Sequence, residues 1–122
     1  MLGALLRRAA RAGLADRIET RLAPHGNLGV DDLQERVDFL PAIFMVHEIP
    51  DAGAFFAEAY RALRPGGRML VAEPRMHVPA KDFEALMQTA TRAGFVREGP
   101  VRFPGGRAAM MSKRPHVEAV SA

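Results

Sequence analysis

The ten residues from Val37 to Val46, VDFLPAIFMV, are almost uninterruptedly apolar and constrain this chain more than any other stretch. A run this short suits a strand covered on both faces, as in a parallel sheet. Pro50-Asp51 marks the next helix start. Phe55, Phe56, Ala59, Tyr60 and Leu63 fall on the inner stripe of that helix. Arg64-Pro65-Gly66-Gly67 reads as a stop followed by a tight turn. Met69 to Ala72 is a second buried strand that ends at Glu73-Pro74. Strand, helix and strand in this order make a parallel crossover unit.

The flanks extend the same alternation. Leu2, Leu5, Leu6, Ala9 and Ala10 recur at helical spacing, and Gly13 stops them. Arg17 to Leu22 alternates apolar and charged residues like a short strand. Pro24 to Gly29 is a loop, and Asp31 or Asp32 caps a short helix reaching Arg36. Lys81 to Ala93 places Phe83, Leu86, Met87 and Ala90 on one helical face, closed by Gly94. Two strands follow, 96–103 and 107–112, joined through Pro104-Gly105-Gly106, with a tail that frays from Lys113. The expectation is one α/β domain over residues 1–122, a partial Rossmann-like sheet, mostly parallel with a C-terminal antiparallel hairpin.

Composition sets outer limits. The 122 residues contain no cysteine, which removes disulfides, thiolate metal sites and a cysteine nucleophile. No apolar run approaches the length of a membrane-spanning helix. Seventeen basic residues against fourteen acidic ones leave a net charge of +3, a weak basis for nucleic-acid binding. The basic start, Arg7, Arg8 and Arg11, is interrupted by Asp16 and Glu19, which argues against a transit peptide, so the cytoplasm is the expected compartment.

Three blocks together, Val37–Asp51, Ala54–Arg68 with its Leu-Arg-Pro-Gly-Gly-Arg element, and Met69–Pro74, resemble the class I S-adenosylmethionine-dependent methyltransferases. The closing helix, a Gly-Phe step and an antiparallel pair fit the same family, so the resemblance spans about Leu2 to Arg114. It implies a sheet of order 3-2-1-4-5-7-6, in which residues 37–46 are the fourth strand and 69–72 the fifth. It also implies S-adenosyl-L-methionine as cofactor. One departure stands out: no strand with a Gly-x-Gly turn, and no second strand ending in an acidic residue, precedes the first helix. In related folds those elements hold the nucleoside. The chain therefore reads as the carboxyl-terminal portion of such a domain. Gly66-Gly67 and Gly105-Gly106 read as structural turns.

The resemblance also assigns candidate site residues. Phe44, Met45, Val46 and His47, at the carboxyl end of the fourth strand, would pass the methionine part of the cofactor. Pro24 and His25, after the third strand, would lie near the adenine, although they offer no carboxylate. His47 is a candidate base because an imidazole titrates near neutrality. Its alternative is an ordinary loop histidine. His47 and Glu48 would diverge on a strand, and no third metal ligand is evident, so no metal site is expected. Glu73 either orients an acceptor amine or hydroxyl or is a strand-end carboxylate paired with an arginine. Glu48, Arg75 and His77 would face the acceptor, whose identity the sequence does not reveal.

Without the family's first two strands, the fourth strand is an exposed apolar edge, and Pro41 inside it suits an edge position. Three outcomes follow: the third strand slides in beside the fourth to give 3-4-5-7-6, two chains pair as a homodimer, or a complementing chain fills the slot. Three functions remain open: a methyltransferase domain, a non-enzymatic remnant that binds a partner or a second copy, and, with least support, a nucleic-acid binder.

Overall fold

Asp51 begins the helix that organises the sheet: its Oδ1 accepts the Ala54 N–H at 3.0 Å, satisfying one of the unpaired donors of the first turn. The structure is a computed structural model that describes residues 2–23 and 27–115. Its elements are helix α1 (Leu2–Arg11), strand β1 (Val37–Ile43), helix α2 (Ala52–Ala62), strand β2 (Leu63–Pro74), helix α3 (Ala80–Arg92) and strands β3 (Val96–Val101) and β4 (Gly106–Ser112), with three short 3-10 turns. Among the described residues no helix is long and apolar enough to cross a membrane.

The four strands form one sheet in the order β1-β2-β4-β3, which corresponds to 4-5-7-6 of the family. β1 and β2 are parallel, while β2 with β4 and β3 with β4 are antiparallel, so the parallel part is a single pair. The C-terminal hairpin is as expected. α2 and α3 pack together on one sheet face. Phe55, Phe56, Phe83, Met87 and Ala90 from the helices meet Ala42, Met69, Val71, Ala109 and Met111 from the strands, all buried. Strand periodicity sends the intervening residues to the other face. There Phe39 and Ile43 are 48% and 43% exposed, and Leu70 and Met110 are half-buried.

Several expectations are corrected. Residues 17–22 form no strand: a 3-10 turn, Ala15–Arg17, leads into a segment outside the sheet. Arg21 ties that segment to Glu19, to Asp32 at 2.7 and 3.0 Å, and to the Gly29 carbonyl, so it does not slide in beside β1. The helix expected to reach Arg36 shrinks to a 3-10 turn, Asp31–Leu33, because Glu35 and Arg36 donate their N–H groups to Arg61 O and Ala62 O at the end of α2. This diversion satisfies carbonyls that the helix end leaves unpaired. β1 is fully covered on one face only: Ala42 is its sole fully buried residue, and Phe39 and Ile43 on the opposite face are exposed.

The Pro-Gly-Gly element is not a separate turn. β2 starts immediately after α2, and its pairing jumps from Val37↔Leu63 to Phe39↔Arg68, so residues 64–67 bulge within the strand. Gly66 takes a φ of +83° there, a conformation natural to glycine. Lys113 does not fray. Its Nζ donates to Tyr60 O at 2.8 Å and Leu63 O at 2.9 Å and lies 4.6 Å from the centre of the Tyr60 ring. Residues beyond 115 lie outside the described residues.

Candidate active site

β1 ends at Ile43, and the chain then turns sharply. Phe44 has a φ of +57°, and Val46–Glu48 form a 3-10 turn. Parallel register sets Ile43 opposite Ala72, so this turn comes to lie beside Glu73, the next residue of β2. Glu73 is completely buried. One carboxylate oxygen accepts the Val46 N–H at 3.0 Å, and the other is hydrogen-bonded to His47 Nδ1. A buried carboxylate is costly unless its oxygens are satisfied, and here both are. The partner is a histidine, not the arginine expected as one alternative.

An ionised carboxylate only accepts, so toward an ionised Glu73 it is Nδ1 that donates, and a neutral ring then has its lone pair on Nε2. The imidazole is 24% exposed. Its Nε2 lies 3.7 Å from Glu48 Oε1, so these neighbours converge on the 3-10 turn instead of diverging as on a strand. The His77 ring lies parallel to that of His47, with centroids 6.4 Å apart and 5° between planes.

The structure thus brings together Val46, His47, Glu48, Glu73 and His77. Met45 contributes a carbonyl that accepts the Glu48 N–H at 3.0 Å. Phe44 turns toward the hairpin and meets Phe103 edge to face at 5.5 Å. Arg75 bends the same way, its Nη2 donating to Gly106 O at 3.2 Å. Pro24 and His25 lie outside the described residues. Glu58 escaped the sequence reading: its Oε2 accepts the Leu28 N–H at 2.6 Å and pins the segment before β1 onto α2. A pocket of about 280 Å³ opens beside Glu48, with Leu28, Ile49, Pro50, Asp51 and Phe55 among its walls.

The second glycine of each pair is tightly packed. A Cβ on Gly67 would lie 2.9 Å from Arg64 O and 3.2 Å from Asp38 O, and one on Gly106 would lie 3.1 Å from both Glu73 O and Phe44 Cε1. Both close onto the protein's own atoms. Phe44 to His47 run on from the end of β1, and no Gly-x-Gly turn occurs among the described residues.

A family described as the methyltransferase domain matches residues 1–71. The ubiquinone/menaquinone biosynthesis C-methyltransferase UbiE of Brucella anthropi is 37% identical over 73 residues, which cover 60% of this chain and 27% of that protein. A putative S-adenosyl-L-methionine-dependent methyltransferase of Methanococcus maripaludis superposes with a TM-score of 0.72 at 17% identity, covering 94% of this chain and 63% of that one. A SAM-dependent methyltransferase of Aquifex aeolicus gives 0.70 at 16% identity, covering 87% and 60%. The chain therefore spans about a quarter of that curated relative and somewhat under two thirds of these solved structures. The sheet order, the Leu-Arg-Pro-Gly-Gly-Arg bulge and the match over residues 1–71 agree, and the chain belongs to the class I S-adenosylmethionine-dependent methyltransferase family.

Proposed function

We propose that this chain supplies the acceptor side of a methyl-transfer site in the cytoplasm, with His47 as the base and Glu73 as the residue that orients it. In the family, S-adenosyl-L-methionine supplies the activated methyl group. The observation that carries the reading is the buried Glu73 carboxylate divided between Val46 N–H and His47 Nδ1. Stapling the turn requires only the first of these bonds. The second holds the imidazole in one orientation, as a carboxylate behind a working histidine does. Nε2 is then available to take a proton from an acceptor oxygen, nitrogen or carbon, and Glu48 and His77 border the approach. Phe44, Met45 and Val46 form the wall nearest the reacting groups.

In an assay of methyl transfer, His47→Gln is expected to lower the rate roughly 10²- to 10⁴-fold with the fold intact, the usual range for a general base. An unchanged rate would remove His47 from that role. A second reading, a non-enzymatic module that pairs with a second copy, is favoured by the free edge of β1 and the exposed Phe39 and Ile43. Calorimetry with S-adenosyl-L-methionine and sedimentation separate the two. Binding in the micromolar range supports the enzyme. A dimer that generates no heat with the cofactor supports the module, and a monomer whose β1 amides exchange rapidly overturns it.

A further inference from the structure

A second cavity, of about 310 Å³, lies between the start of α3 and the mouth of the β3–β4 hairpin. Its walls carry four guanidinium groups, Arg75, Arg97, Arg102 and Arg107, against a single carboxylate, Glu84. That local excess of three positive charges equals the net charge of the whole chain. We infer that this pocket binds a small anion, a phosphate or carboxylate group, between Arg75, Arg102 and Arg107.

The geometry supports this in three ways. The last ladder pair of the hairpin, Val101↔Ala108, puts Arg102 and Arg107 next in line across its mouth. Like charges facing each other on neighbouring strands repel, and the one carboxylate in the walls is committed elsewhere: Glu84 accepts two bonds from Arg97, at 2.6 and 3.0 Å. Two of the three arginines are also pinned, each by a single bond among the described residues. Arg107 Nε donates to Val78 O at 3.0 Å, and Arg75 Nη2 donates to Gly106 O at 3.2 Å. A guanidinium has five donors, so both are oriented with most of their hydrogen-bonding capacity unspent. Arg102 makes no side-chain hydrogen bond among the described residues. Planar forks of this kind match the two oxygens of a carboxylate or phosphate, and the volume lies at the lower end of the range for small-molecule sites.

Phe103 forms part of the pocket wall and also packs against Phe44. An anion held here would anchor an acceptor one aromatic pair away from the Phe44–His47 turn. That role rests on the methyl-transfer reading, whereas anion binding itself does not.

The test is an amide NMR titration of the chain with sodium phosphate and, separately, with malonate, at constant ionic strength. Saturable shifts confined to residues 75–80 and 101–108 are expected. A response to phosphate alone assigns a phosphate group, and a response to malonate alone assigns a carboxylate. Arg102→Gln should weaken binding about tenfold, the usual effect of losing a hydrogen bond to a charged group. Glu84→Gln, which releases Arg97, should tighten it. Arg8→Gln, on α1, should leave it unchanged. No saturable shift with either anion overturns the inference, as does equal weakening by Arg102→Gln and Arg8→Gln. Calorimetry with S-adenosyl-L-methionine is scored independently: anion binding without cofactor heat keeps the pocket and removes the methyl-transfer reading, and the reverse result does the opposite.

Discussion

The two faces of this sheet are built from the same strands and have opposite fates. On one, Ala42, Val71 and Ala109 stand side by side across three strands and are sealed under α2 and α3. On the other, Pro41, Leu70 and Met110 occupy the adjacent row, and no described helix covers them fully. α1, whose Leu5 and Leu6 are more than 40% exposed, buries only Ala9. The difference shows that apolar sequence alone does not make a core. A side chain contributes only where a second layer removes it from water, and among the described residues only one such layer is complete.

The largest expected effect tests that asymmetry directly. Phe56 is fully buried and packs against Phe55 and Phe95 with ring centroids 5.3 and 6.4 Å away. Phe56→Ala should cost about 3–5 kcal/mol, the range for emptying an aromatic core site. Ile43→Thr, on the open face, should change stability by less than about 0.5 kcal/mol. Chemical denaturation of both variants measures the contrast. Comparable losses would mean that the open face is covered in solution, and the comparison would fail.

Lys113 sharpens it from the polar side. Its buried ammonium bridges the carbonyls of Tyr60 and Leu63, where α2 passes into β2, and so closes the covered layer at one end. Lys113→Met keeps most of the volume and strips both carbonyls of their donor. A loss of about 2 kcal/mol is expected from the unsatisfied groups, read as a lower denaturation midpoint at unchanged slope.

How much of this was legible beforehand follows from the same asymmetry. The covered layer is strongly patterned. Phe83, Met87 and Ala90 on α3, and Phe55, Phe56 and Ala59 on α2, are buried as their spacing implies. The failures fall where pattern and context part. Val37–Val46 reads as doubly covered because a residue's hydropathy does not reveal whether a neighbour exists. Residues 17–22 alternate correctly for a strand but have nothing to pair with. Lys113 looks like the start of a tail because a lysine that bonds to backbone carbonyls leaves no trace in periodicity. At the candidate site, His47 and Glu73 were each visible as residues at strand ends, but their bond was not, since it depends on the β1–β2 register and on the turn at Phe44. The arginine pocket left a faint signal: a hairpin turn at 104–106 makes Arg102 and Arg107 neighbours.

The smallest expected effects come from two arginine–carboxylate pairs, one in each region. Arg97 joins β3 to Glu84 on α3 within the covered layer, and Arg21 joins the segment before β1 to Asp32. Hydrogen bonds from these guanidinium groups hold the Glu84 carboxyl below its ordinary 4.5 and the Asp32 carboxyl below its ordinary 3.8. A depressed carboxylate stabilises the fold above its unfolded pKa, and that contribution is lost as the pH falls through the folded value. Both pairs are therefore intact at neutral pH and fail on the acid side, below about pH 4.5 for Glu84 and below about pH 3.8 for Asp32. The consequences differ. Glu84 and Arg97 link elements that the core already holds, whereas Arg21 is the main polar tie of residues 18–23 to the 29–32 segment. Carboxyl carbon NMR should place both titration midpoints below the ordinary values. Asp32→Asn at neutral pH should increase amide exchange at residues 18–23 while leaving β2 and β4 protected. If Glu84→Gln loosens α3 as much as Asp32→Asn loosens residues 18–23, the covered layer depends on its ion pair, and its packing is weaker than the burial of Phe56 and Met111 implies.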